Sequence, residues 1–276
     1  MIKQAIIPLA GLGTRLLPLT SVFAKELLPI NGKPGIEYIL DECIDSGIKE
    51  IIFIISKKKE IIKKYFYNDA FYKNIIKKKK DPRIIKEYKK ILFYKKKIKF
   101  VYQNKPLGTG DAVLKTKNYI KNDFFLMLLP DDLIMKKYCS KDMIAVHNKY
   151  KSSVMASMKV KKNTVNRWGI YSSSINLDKK NFLIKGVVEK PDIKNAPSNN
   201  AVIGRYILPK KIFKLLKNQN KGKDGEIQIT DAIQTLINTG SKFVGHKFSG
   251  HYLDCGSMKG YMKSSIEISN IWKFAL

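Results

Sequence analysis

The chain has 276 residues, 44% hydrophobic and 28% charged, with a formal net charge of +30. This is ordinary globular composition in a chain long enough to bury a full core, and no apolar run reaches the ~20 residues that a membrane span needs. The charge points less to nucleic acid than its size suggests, because only four of the 53 basic residues are arginine, the side chain that reads phosphate and guanine bidentately.

In chain order, Lys3 to Leu9 (KQAIIPL) reads as a buried first strand. The apolar start gives way at Arg15 without a small-residue cleavage site, so it is not read as a signal peptide. A loop with two glycines follows. Pro34 to Ser46 has helical spacing, with Ile36, Ile39, Leu40, Cys43 and Ile44 on one side and Gly47 as its stop. Glu50 to Ile55 (EIIFII) is a second buried strand, and the β-loop-α-β order begins a parallel sheet. Lys57 to Lys99 holds seventeen lysines interleaved with aromatics. It reads as one or two amphipathic helices with solvated lysine faces, an RNA-stacking patch being the alternative. A lysine-rich, arginine-poor chain is what AT-rich codons produce, so no specific nucleic-acid partner is expected.

Further strands are expected at Ile98 to Gln103 and at Phe124 to Asp132, the latter broken at Pro130 and emerging on acids, with "GTGDAVLKTKNYI" entering a helix between them. Strand-like pieces follow at Val154 to Val160, Gly169 to Tyr171, Leu183 to Val188, Ala201 to Leu208 and Phe243 to Phe248. Helices are expected at Lys210 to Leu216, at Thr230 to Ile237 with Asp231 in its first turn, and from about Ser257. Cys43, Cys139 and Cys255 form no CxxC pair, which excludes a zinc site of the usual spacing and suggests a reducing, cytoplasmic setting. The fold class expected is α/β, a Rossmann-like mixed, mainly parallel sheet flanked by helices. Residues 1–276 read as one domain, with a nucleotide-binding half (1–135) and a sugar-phosphate half (136–276).

The opening loop, "PLAGLGTRLLP", is built for phosphate: glycines let backbone N–H groups approach phosphate oxygens, and Arg15 and Lys25 can converge on one triphosphate. It is not a Walker A loop, which needs Gly-Lys-Ser/Thr at its end. It is not a Rossmann fingerprint either, since Leu16 stands where glycine or alanine is required.

With "KELLPINGKPGIEYIL", "LLPDD", "GVVEKP", "APSNNAVIGRYIL", "GEIQITDAI" and "DCGSMKGYM" in order behind it, the chain closely resembles the bacterial UTP–glucose-1-phosphate uridylyltransferases, within the sugar-nucleotide pyrophosphorylase superfamily. The likeness runs from Ile2 to about Met262 and thins in the lysine-rich block. It implies a nucleotidyltransferase, GT-A-like fold and transfer of UMP from UTP to glucose 1-phosphate, with Mg²⁺ as cofactor. The assembly it suggests is a homodimer or homotetramer. A dTTP-using relative, or a lysine-rich nucleic-acid-binding protein on a decayed enzyme scaffold, is the alternative.

Carried onto this sequence, the resemblance puts Gly11 and Gly13 at the phosphates, Arg15 on the leaving pyrophosphate and Lys25 at the reacting phosphates. Asp131 and Asp254 match the metal aspartates, and carboxylate oxygens are what Mg²⁺ prefers; Asp132 is open as an alternative ligand. Gln103 and Gly108 fall at the uracil, Gln103 offering an amide to an imide edge and Gly108 close backbone approach. Here the family's usual Gly-Leu-Gly-His becomes Gly108-Thr109-Gly110-Asp111. Gly169, Glu189, Lys190 and Gly204 are expected around the sugar phosphate. The three histidines, His147, His246 and His251, fall outside these motifs.

Overall fold

The computed structural model describes residues 2–222 and 225–271; residues 272–276, the end of the expected sugar-phosphate half, lie outside them. The elements in chain order begin with β1 (Gln4–Pro8), a two-residue hairpin of β2 (Pro29–Ile30) and β3 (Lys33–Pro34), α1 (Gly35–Asp45) and β4 (Glu50–Ile55). Then come α2 (Glu60–Tyr67), α3 (Asp69–Lys79), α4 (Pro82–Lys95), β5 (Ile98–Tyr102), α5 (Thr109–Leu114), β6 (Phe124–Leu128), β7 (Asp132–Met135) and α6 (Cys139–Tyr150). The rest of the chain supplies β8 (Ser153–Lys159), β9 (Gly169–Asn176), β10 (Asn181–Glu189), β11 (Asn200–Pro209), α7 (Ile212–Asn218), α8 (Ile229–Asn238), β12 (Phe243–Lys247), β13 (His251–Asp254) and α9 (Met258–Ile271).

One nine-stranded sheet runs in the order β5-β4-β1-β6-β11-β8-β12-β10-β9. Its first four strands are mutually parallel, as expected for apolar strands joined by helical crossovers. From β6 to β11 the pairing turns antiparallel; only β8 and β12 are parallel beyond it. The parallel character therefore belongs mainly to the nucleotide half. Buried residues on the two faces of the sheet form two clusters, one around Ile7, Phe53 and Leu126 under α1, and one around Ile6, Phe125 and Tyr206 under α5, α7 and α8.

The lysine-rich block forms three helices. Asn68 separates α2 from α3, and Asp81 caps α4, its side chain accepting from the Arg83 N–H at 2.8 Å ahead of Pro82. Two aromatics of the block point inward: Phe66 and Tyr94 are buried, and Phe66 packs edge-on against Phe53 of β4 at 5.9 Å. The β2–β3 hairpin, α6, β7 and β13 were beyond the sequence signal. Helix α6 buries little more than Cys139, Ser140, Met143 and Val146, too few for a clear period. Strands β7 and β13 are four residues each and pair only with one another, outside the main sheet. Among the described residues no helix is long and apolar enough to cross a membrane.

Candidate active site

The direction of the connections locates the site. From β1 the chain crosses to β4 and then β5 on one side, while β6 lies on the other side of β1, so the sheet order reverses between β1 and β6. Ligands of open α/β sheets bind beyond the strand C-termini at such a point. The loops there are residues 9–13 after β1, Ser56–Lys59 after β4, Gln103–Gly108 after β5 and Leu129–Asp131 after β6.

Gly13 takes φ +72 at the start of a single 3-10 turn carrying Thr14 and Arg15, a conformation that favours glycine, and Thr20 Oγ1 donates to its carbonyl at 2.8 Å. A Cβ on Gly11 would meet only open space. Lys25 begins another 3-10 turn, whose next residue, Glu26, is buried and accepts two hydrogen bonds from the buried Lys59, at 2.7 and 2.9 Å. That pair ties the loop after β4 to the segment bearing Lys25.

Lys25 Nζ donates to Asp131 Oδ2 at 2.8 Å, and Arg15 reaches the same oxygen at 3.4 Å. Burial works against the Lys25 ammonium, but the charges of Asp131 and Glu26 outweigh it and hold its pKa above the ordinary value. Burial likewise opposes ionisation of Asp131, and the neighbouring Lys25 and Arg15 overcome it, so this carboxyl lies below its usual range. Asp132 behaves oppositely. Burial, together with the charge of Asp131, pushes it up to about 6, although Tyr252 OH donates to Oδ1 at 2.6 Å and the Gly204 N–H to Oδ2 at 2.8 Å. Asp132 is thus committed to the protein at both oxygens.

The segment bearing these acids is held by Arg205, fully buried on β11. It donates to the Leu129, Gly204 and Asp132 carbonyls at 3.2, 3.0 and 2.7 Å. Its charge is met by Glu42 of α1, itself buried, at 2.8–3.1 Å. Asp254 ends β13, directly opposite Asp132 in the β7–β13 ladder, and accepts from the Gly256 N–H at 2.9 Å. The Cys255 N–H bonds the Asp131 carbonyl at 2.8 Å, and a Cβ on Gly256 would stand 2.8 Å from Asp131 Oδ2. Glycine there lets the Asp254 turn lie against Asp131.

Asp131 and Asp254 line one cavity of about 270 Å³ together with Arg15, Gly169, Glu189 and Gly204. Among the described residues no group of three or more His, Cys, Asp or Glu could hold a metal by itself. The two carboxylates fit Mg²⁺ as hard oxygen donors, a cation that commonly takes one or two carboxylates and completes its shell with phosphate and water.

Two expected contacts find different company. A Cβ on Gly108 (φ +93) would stand 2.6 Å from the Ile227 carbonyl. Its glycine character answers to that packing, and its own carbonyl accepts from Gln103 Nε2 at 3.1 Å. A Cβ on Gly204 would lie 2.5 Å from Asp132 Oδ2, so that glycine also makes room for a carboxylate. Lys190 is exposed, takes φ +44 and donates its N–H to the Trp168 carbonyl at 3.0 Å, outside the cavity lining. Gln103 lines a separate cavity of about 530 Å³ with Ala10, Leu12, Ser56 and Pro106. Arg167, Trp168, Tyr206, Thr230 and Tyr252 also line the first cavity and were not expected there. One signal was available: of the chain's four arginines, Arg15, Arg167 and Arg205 are all at this site, and only Arg83 is not.

A family model described as Nucleotidyl transferase matches residues 4–270. A UTP–glucose-1-phosphate uridylyltransferase of Mycoplasma pneumoniae is 38% identical over 267 residues, 96% of this chain and 91% of that protein. Among solved structures, a UDP-glucose pyrophosphorylase complexed with UDP-glucose is similar at a TM-score of 0.85 and 34% identity, over 99% of this chain and all of that one. The UTP-bound UGPase of Acinetobacter baumannii gives 0.90 at 33% identity, over 99% and 95% of the two chains.

Proposed function

Because the chain belongs to the nucleotidyl transferase family, we propose that it transfers UMP from UTP to glucose 1-phosphate, giving UDP-glucose and pyrophosphate. The observation that carries the reading is the meeting of Arg15, Asp131 and Asp254 at the point where the sheet reverses, in a cavity that also holds Glu189, with Lys25 bonded to Asp131 from outside its lining.

A phosphate oxygen of the sugar phosphate attacks the α-phosphorus of UTP; the new P–O bond forms as the bond to the β-phosphate bridging oxygen breaks, and pyrophosphate carries away that electron pair. No covalent enzyme intermediate is required, so the protein's task is to place two anions in line and neutralise them. Backbone at Gly11 and Gly13 approaches the triphosphate, Arg15 holds the leaving pyrophosphate, and Lys25 offsets charge at the reacting phosphates. Glu189 accepts from sugar hydroxyls, with Gly169 beside it, its Cβ position 3.1 Å from Glu189 Oε2. Lys190, next to Glu189 in the chain, supplies a cation for the sugar phosphate. Asp131 and Asp254 would hold Mg²⁺, which would supply neutralisation of the phosphate oxygens.

We read residues 1–276 as one catalytic domain, supported by the sheet that continues from one half into the other. The buried free thiols of Cys43, Cys139 and Cys255 support a cytoplasmic setting. Exposed Val22, Phe23, Met262 and Ile266 support a homodimer or homotetramer, to be weighed by ultracentrifugation. The deciding experiment is pyrophosphate release from glucose 1-phosphate with each of UTP, dTTP, CTP, ATP and GTP. Turnover with UTP supports the reading, a preference for dTTP moves it to the thymidylyl reaction, and no release with any of them refutes it.

A further inference from the structure

Glutamine is an ambiguous reader of a pyrimidine. Turned one way its amide accepts from the N3–H of uracil, and turned the other way it donates to the bare N3 of cytosine. A glutamine free to turn gives little discrimination between the two.

Gln103 is not free to turn. Its Nε2 donates to the Gly108 carbonyl at 3.1 Å and to Asp111 Oδ2 at 2.8 Å. Both partners can only accept, so the oxygen and nitrogen of this amide are assigned by chemistry and not by a choice between equivalent fits. Flipping the amide would set its oxygen against a carbonyl and a carboxylate, in a place where Gln103 and Asp111 are both buried. Asp111 is fixed in turn: its Oδ1 pairs with Lys115 Nζ at 3.2 Å, one turn further along. Gly108 and Gly110 are themselves pinned against the Ile227 backbone, the Gly110 N–H donating to its carbonyl at 2.7 Å. Among the described residues nothing donates to Gln103 Oε1, and this side chain lines the cavity formed with Ala10, Leu12, Ser56 and Pro106.

We propose that Asp111, braced by Lys115, is a positioning residue that locks the Gln103 amide with its oxygen towards the base, so that the site selects a pyrimidine bearing an N3–H donor and rejects cytosine. The inference rests on the reading that this cavity holds the base of UTP, and it adds a source of selectivity to that reading. Rejection arises because cytosine would bring its unprotonated N3 against Oε1, leaving two buried acceptors facing each other, a mismatch that discriminates more strongly than an absent methyl group does.

The test is the ratio of kcat/KM for UTP to that for CTP, with glucose 1-phosphate varied separately, in the wild type and Asp111→Ala. The ratio is expected to fall at least tenfold in the variant, through a higher KM for UTP and a lower KM for CTP, with KM for glucose 1-phosphate and the thermal midpoint little changed. An unchanged ratio, or an equal loss for both nucleotides, overturns the proposal and leaves Asp111 a packing role. Should Asp111→Ala not fold, calorimetric binding of UMP and CMP to the wild type decides: a preset amide requires UMP to bind at least tenfold tighter, and equal affinity overturns it. Wild-type enzyme inactive with every nucleotide would instead refute the function reading and leave that binding comparison to judge the lock.

Discussion

Replacing Arg205 by methionine separates two things this buried guanidinium does. It neutralises Glu42, which is 1% exposed at its side chain, and it donates to the carbonyls of Leu129 and Asp132 on either side of Asp131. Removing one member of a buried pair strands the other, at a cost of about 3–5 kcal/mol. For a chain of this size each kcal/mol moves the thermal midpoint by roughly 2–4 °C, so Arg205→Met is expected to melt about 10 °C lower. The Asp131 segment also loses two donors, and a shift of about 1 Å in a catalytic group can reduce kcat by ~10². The double variant Arg205→Met, Glu42→Met puts apolar volume in place of the pair and recovers most of the melting temperature, less what Ser140 loses when its N–H and hydroxyl no longer find Glu42. It restores nothing to the Leu129 and Asp132 carbonyls, so kcat stays low. Calorimetry and pyrophosphate release on both variants read the two effects separately. If the double variant regained activity along with stability, charge neutralisation would be Arg205's whole role and the anchoring argument would be wrong.

Asp131→Asn and Asp254→Asn are each expected to lower turnover by at least ~10² through lost charge stabilisation and to weaken Mg²⁺ binding measured by calorimetry with UTP present; near-normal values for both would refute the metal assignment. Gly108→Ala forces a side chain into φ +93 and against the Ile227 carbonyl, with an expected loss of roughly 1–3 kcal/mol in denaturant titrations and a raised KM for UTP. His246 is buried opposite Asn181, and burial lowers its pKa, so its ring stays neutral in the folded chain while in the unfolded chain it takes up a proton. Its contribution to stability is present above pH ~6.5 and is lost as pH falls through the folded-state value, so wild-type stability should drop more steeply towards pH 5 than that of His246→Gln. Replacing Lys77–Lys80 and Lys95–Lys97 with glutamine is expected to weaken polyanion binding and leave UMP transfer nearly unchanged at ~0.15 M salt, where charge beyond ~8 Å is screened; a large kinetic loss would give the block a catalytic part.

The parallel half of the fold was legible because its strands are short continuous apolar runs, such as EIIFII, set between helical segments with glycine stops. Strands β7 and β13 were not, because HYLD and DLIM alternate too briefly to carry a period and their pairing joins segments more than a hundred residues apart. At the site, Arg15, Lys25, Asp131 and Asp254 sit in motifs, and their meeting is a consequence of loops gathered at one sheet edge. For Gly108 and Gly204 the sequence did not show what packs against them: a glycine announces that something comes close but not what, and on the Cβ side it is the Ile227 carbonyl and the Asp132 carboxylate. Arg167 had only its rarity to mark it. In a chain where nearly every cation is lysine, an arginine indicates a position where an ammonium does not serve, and Arg205 with its six hydrogen bonds shows why.

Three of the cation–carboxylate pairs at the candidate site differ in exposure, and the difference separates their work. Arg205–Glu42 and Lys59–Glu26 are closed off from solvent, and each joins segments distant in sequence: α1 to β11 in one case, the loop after β4 to the Lys25 turn in the other. Buried pairs of this kind add little net stability over well-packed apolar residues, so their value here is in fixing which loops face each other. Lys25–Asp131 is more open, 15% exposed at both side chains, and Asp131 lines the cavity itself. An ammonium and a carboxylate so paired neutralise each other; under the proposed function a phosphate anion would take the place of Asp131 at Lys25, and a cation the place of Lys25 at Asp131. The exchange leaves each of the two side chains facing an opposite charge, so the two buried ties need not move. On that argument Lys25→Ala harms the empty protein as well as the reaction, by leaving Asp131 to Arg15 alone at 3.4 Å.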